Sequence, residues 1–153
     1  MKISIVTFGK LRSPGYNSAF DYHLKLVSHW QKIDCTELKP LENRELESEA
    51  LWSWYQKNGQ SRGKLILLDE RGRNWNSNEW ARQITLLKDQ SISPIVFGVG
   101  GAFGWTEELR KNAHLLVSFG SQTTTHELAR ILLIEQIYRA YSIQKGHPYH
   151  NAD

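Results

Sequence analysis

The sequence contains one cysteine, Cys35, so an internal disulfide and a thiolate-rich metal cluster are both excluded, which fits a reducing compartment. It has no apolar run approaching the roughly 18–20 residues that a membrane helix needs. The start, MKISIVTFGK, is a short β-branched run without a small-residue cleavage site. These absences predict a soluble, uncleaved, cytoplasmic protein. There is also no excess of one charge: 19 Lys and Arg against 16 Asp and Glu leave a net +3, spread evenly over both halves with no basic arm. Any binding of nucleic acid must therefore use a local patch. No internal repeat, low-complexity tract or linker interrupts the chain.

What is present suffices for a packed core. The 153 residues are 40% hydrophobic and include six Trp, six Tyr and five Phe, which suits a single domain and is too apolar for disorder. Short strand-like runs alternate with helical patterns. Strands are predicted at Ile3 to Phe8, Ile33 to Leu38, Lys64 to Leu68, Ile95 to Val99 and Leu115 to Val117. Between them, Phe20, Leu24 and Val27 recur at helical spacing, with Ser18 and Asp21 as a capping box. From Arg44, the residues Leu46, Ala50, Leu51, Trp54 and Tyr55 form one helical face, stopped at Gly59. Further helices are predicted from Asn76, from Thr106 to Asn112, and from Glu127 to about Gln144 with Thr124 and Glu127 as its capping box. The pattern is that of an α/β layer fold with a mostly parallel sheet. Ligand sites in such folds lie at the carboxyl ends of strands, which directs attention to the residues after Leu68, Val99 and Val117.

After Val99 the chain is rich in glycine, with Gly98, Gly100, Gly101 and Gly104 in seven residues, so backbone can approach a ligand closely. The dinucleotide fingerprint fails because Phe103 stands where its third glycine belongs, and Glu107 and Glu108 oppose a phosphate at the next helix start. A sharp turn without a ligand is the plain alternative. Phe119 to Thr125 is a polar loop between apolar elements whose groups can hydrogen-bond an uncharged heterocycle; helix capping, the alternative, explains one or two of its residues and not all seven. The tail His147-Pro-Tyr-His150 carries groups that donate, accept or stack, while two histidines without a third ligand make a poor metal site. His23, His29 and His114 read as structural or surface residues, and His126 adjoins the polar loop.

Taken together, the strand end Leu68-Asp69, the turn Val99 to Gly104, the polar loop before Glu127, the stretch Tyr138 to Ile143 and the tail His147 to His150 resemble one family. It is the bacterial SPOUT-class methyltransferases that modify N3 of pseudouridine in 23S ribosomal RNA. The resemblance covers essentially the whole chain and implies a single SPOUT domain over residues 1–153, with a C-terminal trefoil knot within about 64–144 and a functional tail at 145–153. It further implies S-adenosylmethionine as methyl donor, a homodimer, and rRNA of the large subunit or assembled ribosome as partner, with no metal and no membrane. The cofactor positions fall on Leu68, Gly100, Phe119, Gly120, Ser121, Gln122, Thr123 and Thr124. Tyr149 and His150 would position the base and relay its proton, with Arg139 near RNA backbone or uracil oxygens. The nearly all-round apolar stretch Ile131 to Ile134 offers a second face for dimer pairing.

Three departures stand out: Ala102-Phe103 in the glycine turn, the acidic Glu42, Glu45 and Glu47 where relatives are often basic, and a tail that ends without a further basic residue. Other SPOUT reactions, ribose 2′-O or guanine N1 methylation, and a non-catalytic ribosome- or nucleotide-binding module are the competing readings.

Overall fold

A computed structural model describes residues 1–151; residues 152 and 153, at the end of the expected tail segment, lie outside it. The chain runs β1 (Ile3–Phe8), α1 (Tyr16–Val27), β2 (Ile33–Leu38), α2 (Arg44–Asn58), β3 (Lys64–Asn74), α3 (Ser77–Asp89), β4 (Ile95–Val99), α4 (Glu107–Asn112), β5 (Leu115–Ser118) and α5 (His126–Gln144). All pairings in the five-stranded sheet are parallel, in the order β2-β1-β4-β3-β5. Among the described residues no helix is long and apolar enough to cross a membrane.

The apolar strands are explained by burial on both faces. Successive side chains alternate, so Ile5, Ile66, Leu68 and Phe97 face a core closed by α1, α3 and α5, whereas Val6, Leu65, Leu67 and Val96 face one closed by α2 and α4. Gly98 keeps the second layer thin: a Cβ there would stand 2.7 Å from a Leu51 methyl group. His114 ties β5 to β3, since its Nδ1 accepts the Leu65 N–H at 2.9 Å and burial holds its pKa below the ordinary value.

Local sequence signals fail where tertiary contacts take over. Ser18 does not cap α1, which begins earlier, behind Gly15 in the left-handed region and without a side-chain cap. Thr125 rather than Thr124 caps α5, accepting from the Leu128 N–H at 3.1 Å, and Glu127 turns elsewhere. Leu46 is exposed on α2, and Glu47 and Ser48 are buried in its place. β3 continues beyond Leu68 to Asn74 because residues 69–72 leave the ladder with β5, which resumes at Arg73. Gly72 lies so close to β5 that a Cβ would meet the Leu116 carbonyl carbon at 2.4 Å.

The core assignment has a direct check. Leu133 and Ile134 are fully buried in α5, so Leu133→Ala should lower the unfolding free energy by about 2–5 kcal/mol in urea titration, with the m-value unchanged.

Candidate functional site

A cavity of about 740 Å³ opens at the carboxyl ends of β3, β4 and β5. Leu68, Val99 and Val117 form its floor, the glycine turn one wall, and the loop from Phe119 to His126 the other. Its location follows from topology, since strand ends of a parallel sheet leave a crevice that helices do not cover. Several contacts set its shape. The Trp105 indole N–H donates to the Leu68 carbonyl at 3.1 Å, and Gly100 leaves room for that ring, whose Cε2 would lie 3.2 Å from a Cβ. Ser118 Oγ accepts the Gly120 N–H at 3.0 Å, and Gly120 has a φ of 126°, a conformation that side chains strain. The bulge and the polar loop meet where the Thr123 hydroxyl donates to Glu70 at 3.2 Å.

Charge around the cavity is mostly paired. Asp69 and Arg110 form an ion pair at 2.7 Å with both side chains nearly buried, and Arg71 reaches Glu107 at 3.4 Å. Arg44, which donates to the Phe103 carbonyl, Glu70 and His126 also line it, and the rest of the wall is backbone, hydroxyl, amide and apolar groups, which suit a nucleoside; the Glu107 and Glu108 carboxylates at the α4 start disfavour a polyphosphate.

Of the sequence-assigned cofactor positions, Leu68, Gly100, Phe119, Gly120, Gln122, Thr123 and Thr124 line this cavity, as does His126; Ser121 is exposed beside it and outside the lining. Tyr149, His150 and Arg139 are brought together with one another and lie away from the cavity of their own chain. The tail is docked: Tyr149 packs on Tyr138 with ring centroids 4.6 Å apart, Tyr138 stacks on Trp30, and His147 meets Trp30 edge-on. Glu135 is the hub, accepting from Arg139 Nη2 at 2.6 Å and from the Tyr149 hydroxyl at 2.9 Å. Sequence reasoning missed it, although Glu135 and Arg139 stand four residues apart, a spacing that pairs charges on a helix.

These bonds constrain the chemistry. A guanidinium only donates, so the 3.2 Å contact from Arg139 Nη1 makes His150 Nδ1 the acceptor and puts the ring proton on Nε2. Tyr149 donates to Glu135, and burial together with that carboxylate pushes its phenol pKa up, so it stays protonated. Arg139 is engaged by Glu135, His150 and the Tyr149 ring, contacts that organise the tail.

Two further polar residues position the cavity edge: Glu127, which the sequence pattern offered as a cap partner, and Arg130, which it did not mark. Glu127 accepts the Arg12 N–H at 2.7 Å, the Ser13 N–H at 3.1 Å and the Ser13 hydroxyl. One turn on, Arg130 donates to the Phe8 and Gly9 carbonyls at 3.2 and 3.1 Å and to Glu37 at 2.9 Å.

The α/β fold is one shared with solved methylases. A putative methylase family protein from Neisseria gonorrhoeae superposes with a TM-score of 0.57 at 11% identity, covering 99% of this chain and 86% of that one. A SpoU methyltransferase, AviRb from Streptomyces viridochromogenes, solved in complex with AdoMet, gives a TM-score of 0.50 at 11% identity, covering 92% of this chain and 58% of its own. The family described as predicted SPOUT methyltransferase matches residues 1–150, and the chain belongs to it. Ribosomal RNA large subunit methyltransferase H of Koribacter versatilis is 34% identical over 150 residues, 98% of each chain. The protein of the same name from Streptococcus gordonii is 34% identical over 162 residues, 98% of this chain and 99% of its own.

The Glu127 clasp predicts an acid limb of stability. Hydrogen bonds from Ser13 and Arg12 hold its carboxyl below the ordinary value, so its contribution is present above the unfolded carboxylate pKa and is lost as pH falls through the lower folded one. Hydrogen exchange at the Arg12 and Ser13 amides should accelerate across that acid range relative to β1, and Glu127→Gln should remove the dependence.

Proposed function

We propose that this chain is an S-adenosylmethionine-dependent methyltransferase acting on N3 of a pseudouridine in 23S ribosomal RNA, as a cytoplasmic homodimer on the large subunit or assembled ribosome. The observation that carries the reading is the cavity at the ends of β3, β4 and β5, whose glycine wall and uncharged polar loop suit an adenosyl group with an amino-acid arm. The relatives' names support ribosomal RNA as the substrate class.

In this reading Leu68, Gly100 and the loop from Phe119 to Thr124 hold the cofactor, which when bound supplies a methyl group on a sulfonium centre. A pyrimidine N3 attacks only after its proton has passed to solvent; the negative charge then spreads onto the flanking carbonyl oxygens until the N–CH3 bond forms, the S–CH3 bond breaks and the thioether leaves. His150 Nε2–H suits that charge, held by Arg139 and Glu135 through the bonds described above. Tail and cavity are separate within one chain, so the reading requires the tail of a second copy. Half-buried Ile131 and Leu132 and exposed Leu128 on α5 are the apolar groups available for such pairing.

The proposal is tested at three points. Mass analysis of rRNA from a deletion strain should lose one methyl on pseudouridine; loss of a ribose or guanine methyl instead would transfer the assignment to another SPOUT reaction. His150→Ala should slow methylation roughly 10²-fold, and His150→Asn, which keeps an N–H donor, should retain more activity; equal losses would remove the donor role. Mixing a Gly120→Val chain with a chain truncated before residue 147 should restore part of the activity through heterodimers. No recovery from heterodimers shown to form would end the shared-site reading.

A further inference from the structure

Glu47 is 2% exposed, and among the described residues one of its carboxylate oxygens has no hydrogen-bond partner. Oε2 accepts the Leu41 N–H at 3.0 Å; Oε1 is the unpartnered atom. That atom is aimed at the glycine turn of the cavity, where a Cβ on Gly101 would stand 2.8 Å away. Gly101 is thus glycine for a steric reason: it lines the cavity, and Glu47 lies against it outside the lining.

Among the described residues no Lys, Arg or His lies within ion-pair distance of Glu47. Arg44, one turn earlier, donates from Nε to the Phe103 carbonyl at 2.9 Å. The other carboxylates about the cavity are engaged: Asp69 by Arg110, Glu107 by Arg71 and Glu70 by the Thr123 hydroxyl. Glu47 sits in the first turns of α2, behind Asn43, where the helix dipole helps to hold a negative charge. The surrounding contacts fix it in place, since Arg44 grips Phe103 and Ser48 Oγ accepts the Thr106 N–H at 3.0 Å, clamping both ends of the turn. A buried carboxylate with an unfilled acceptor is costly, and a cation in the adjoining cavity relieves that cost.

We infer that Glu47 is the counter-charge of the cavity, a positioning residue that makes it prefer a cationic ligand, the sulfonium methyl donor, over the neutral thioether that remains after transfer. The inference rests on the cofactor reading above and adds a direction to it: transfer of the methyl group removes the sulfonium charge, so Glu47 favours release of product. No contact between Glu47 and ligand is required, because a Coulombic attraction acts through the poorly polarisable turn.

Calorimetry decides it with S-adenosylmethionine, S-adenosylhomocysteine and sinefungin, which carries an amine in place of the sulfonium. Glu47→Gln should weaken S-adenosylmethionine and sinefungin roughly tenfold and leave S-adenosylhomocysteine nearly unchanged, whereas Glu47→Asp should keep most of the preference. Equal weakening of all three, or of none, would overturn the proposal. Should the variants not fold, the wild type decides: the two cationic ligands should bind more tightly than the thioether, and the reverse order would overturn the counter-charge. Failure of all three to bind the wild type would instead sink the cofactor reading, which is a distinguishable result.

Discussion

The anchoring of α5 to the carboxyl end of β1 is the constraint on which the site depends. Two polar residues one turn apart accomplish it. Glu127 gathers the Arg12 and Ser13 amides, and Arg130, with a nearly buried side chain, gathers the Phe8 and Gly9 carbonyls together with Glu37. Backbone groups at the end of a strand would otherwise need water, so α5 supplies what the β1 loop lacks. The same helix carries the cavity edge on its first turn, through His126 and Ala129, and the docked tail on its last turns, through Tyr138 and Arg139. Displacement of α5 would therefore disturb both halves of the chemistry at once.

The cavity is built chiefly by steric subtraction. Gly100 admits the Trp105 ring, Gly101 admits Glu47, and Gly72 lets the bulge after Leu68 lie on β5. Each glycine removes one Cβ that would collide with a particular neighbour. The result is a wall of bare backbone beside a polar loop, with Asp69 paired to Arg110 and Glu107 to Arg71 along its rim. Such a surface discriminates by shape and hydrogen bonding, which agrees with a nucleoside ligand and with the absence of the phosphate-binding fingerprint from the sequence.

The elements themselves were legible in the sequence because their signals are local. Continuous apolar runs marked β1, β3 and β4, and the caps Asn76 and Thr106 fell where the residue pattern put them, accepting from the Glu79 and Leu109 amides. The errors share one cause. Ser18 with Asp21 and Thr124 with Glu127 have capping-box spacing, yet α1 begins behind Gly15 and Glu127 is drawn away by the β1 loop. Glu47 read as one of several surface acids and is nearly enclosed. A long-range partner overrides a local preference whenever it satisfies more hydrogen bonds or buries more surface.

The sequence by itself determined the alternation of strands and helices, the parallel sheet and the segments that flank the cavity, since periodicity and glycine placement act between near neighbours in the chain. It also supplied the family resemblance, through the spacing of those segments. Only the tertiary structure decided that seven of the eight assigned cofactor positions share one cavity, that the tail is fastened to Glu135, Tyr138 and Trp30, and that Arg139 meets His150 at Nδ1. The tail is held both by near partners on α5, as Tyr149 by Glu135, and by Trp30, which meets His147 from the far end of the chain; which of these groups come together is set by how α5 packs on α1, and periodicity in the sequence does not encode it.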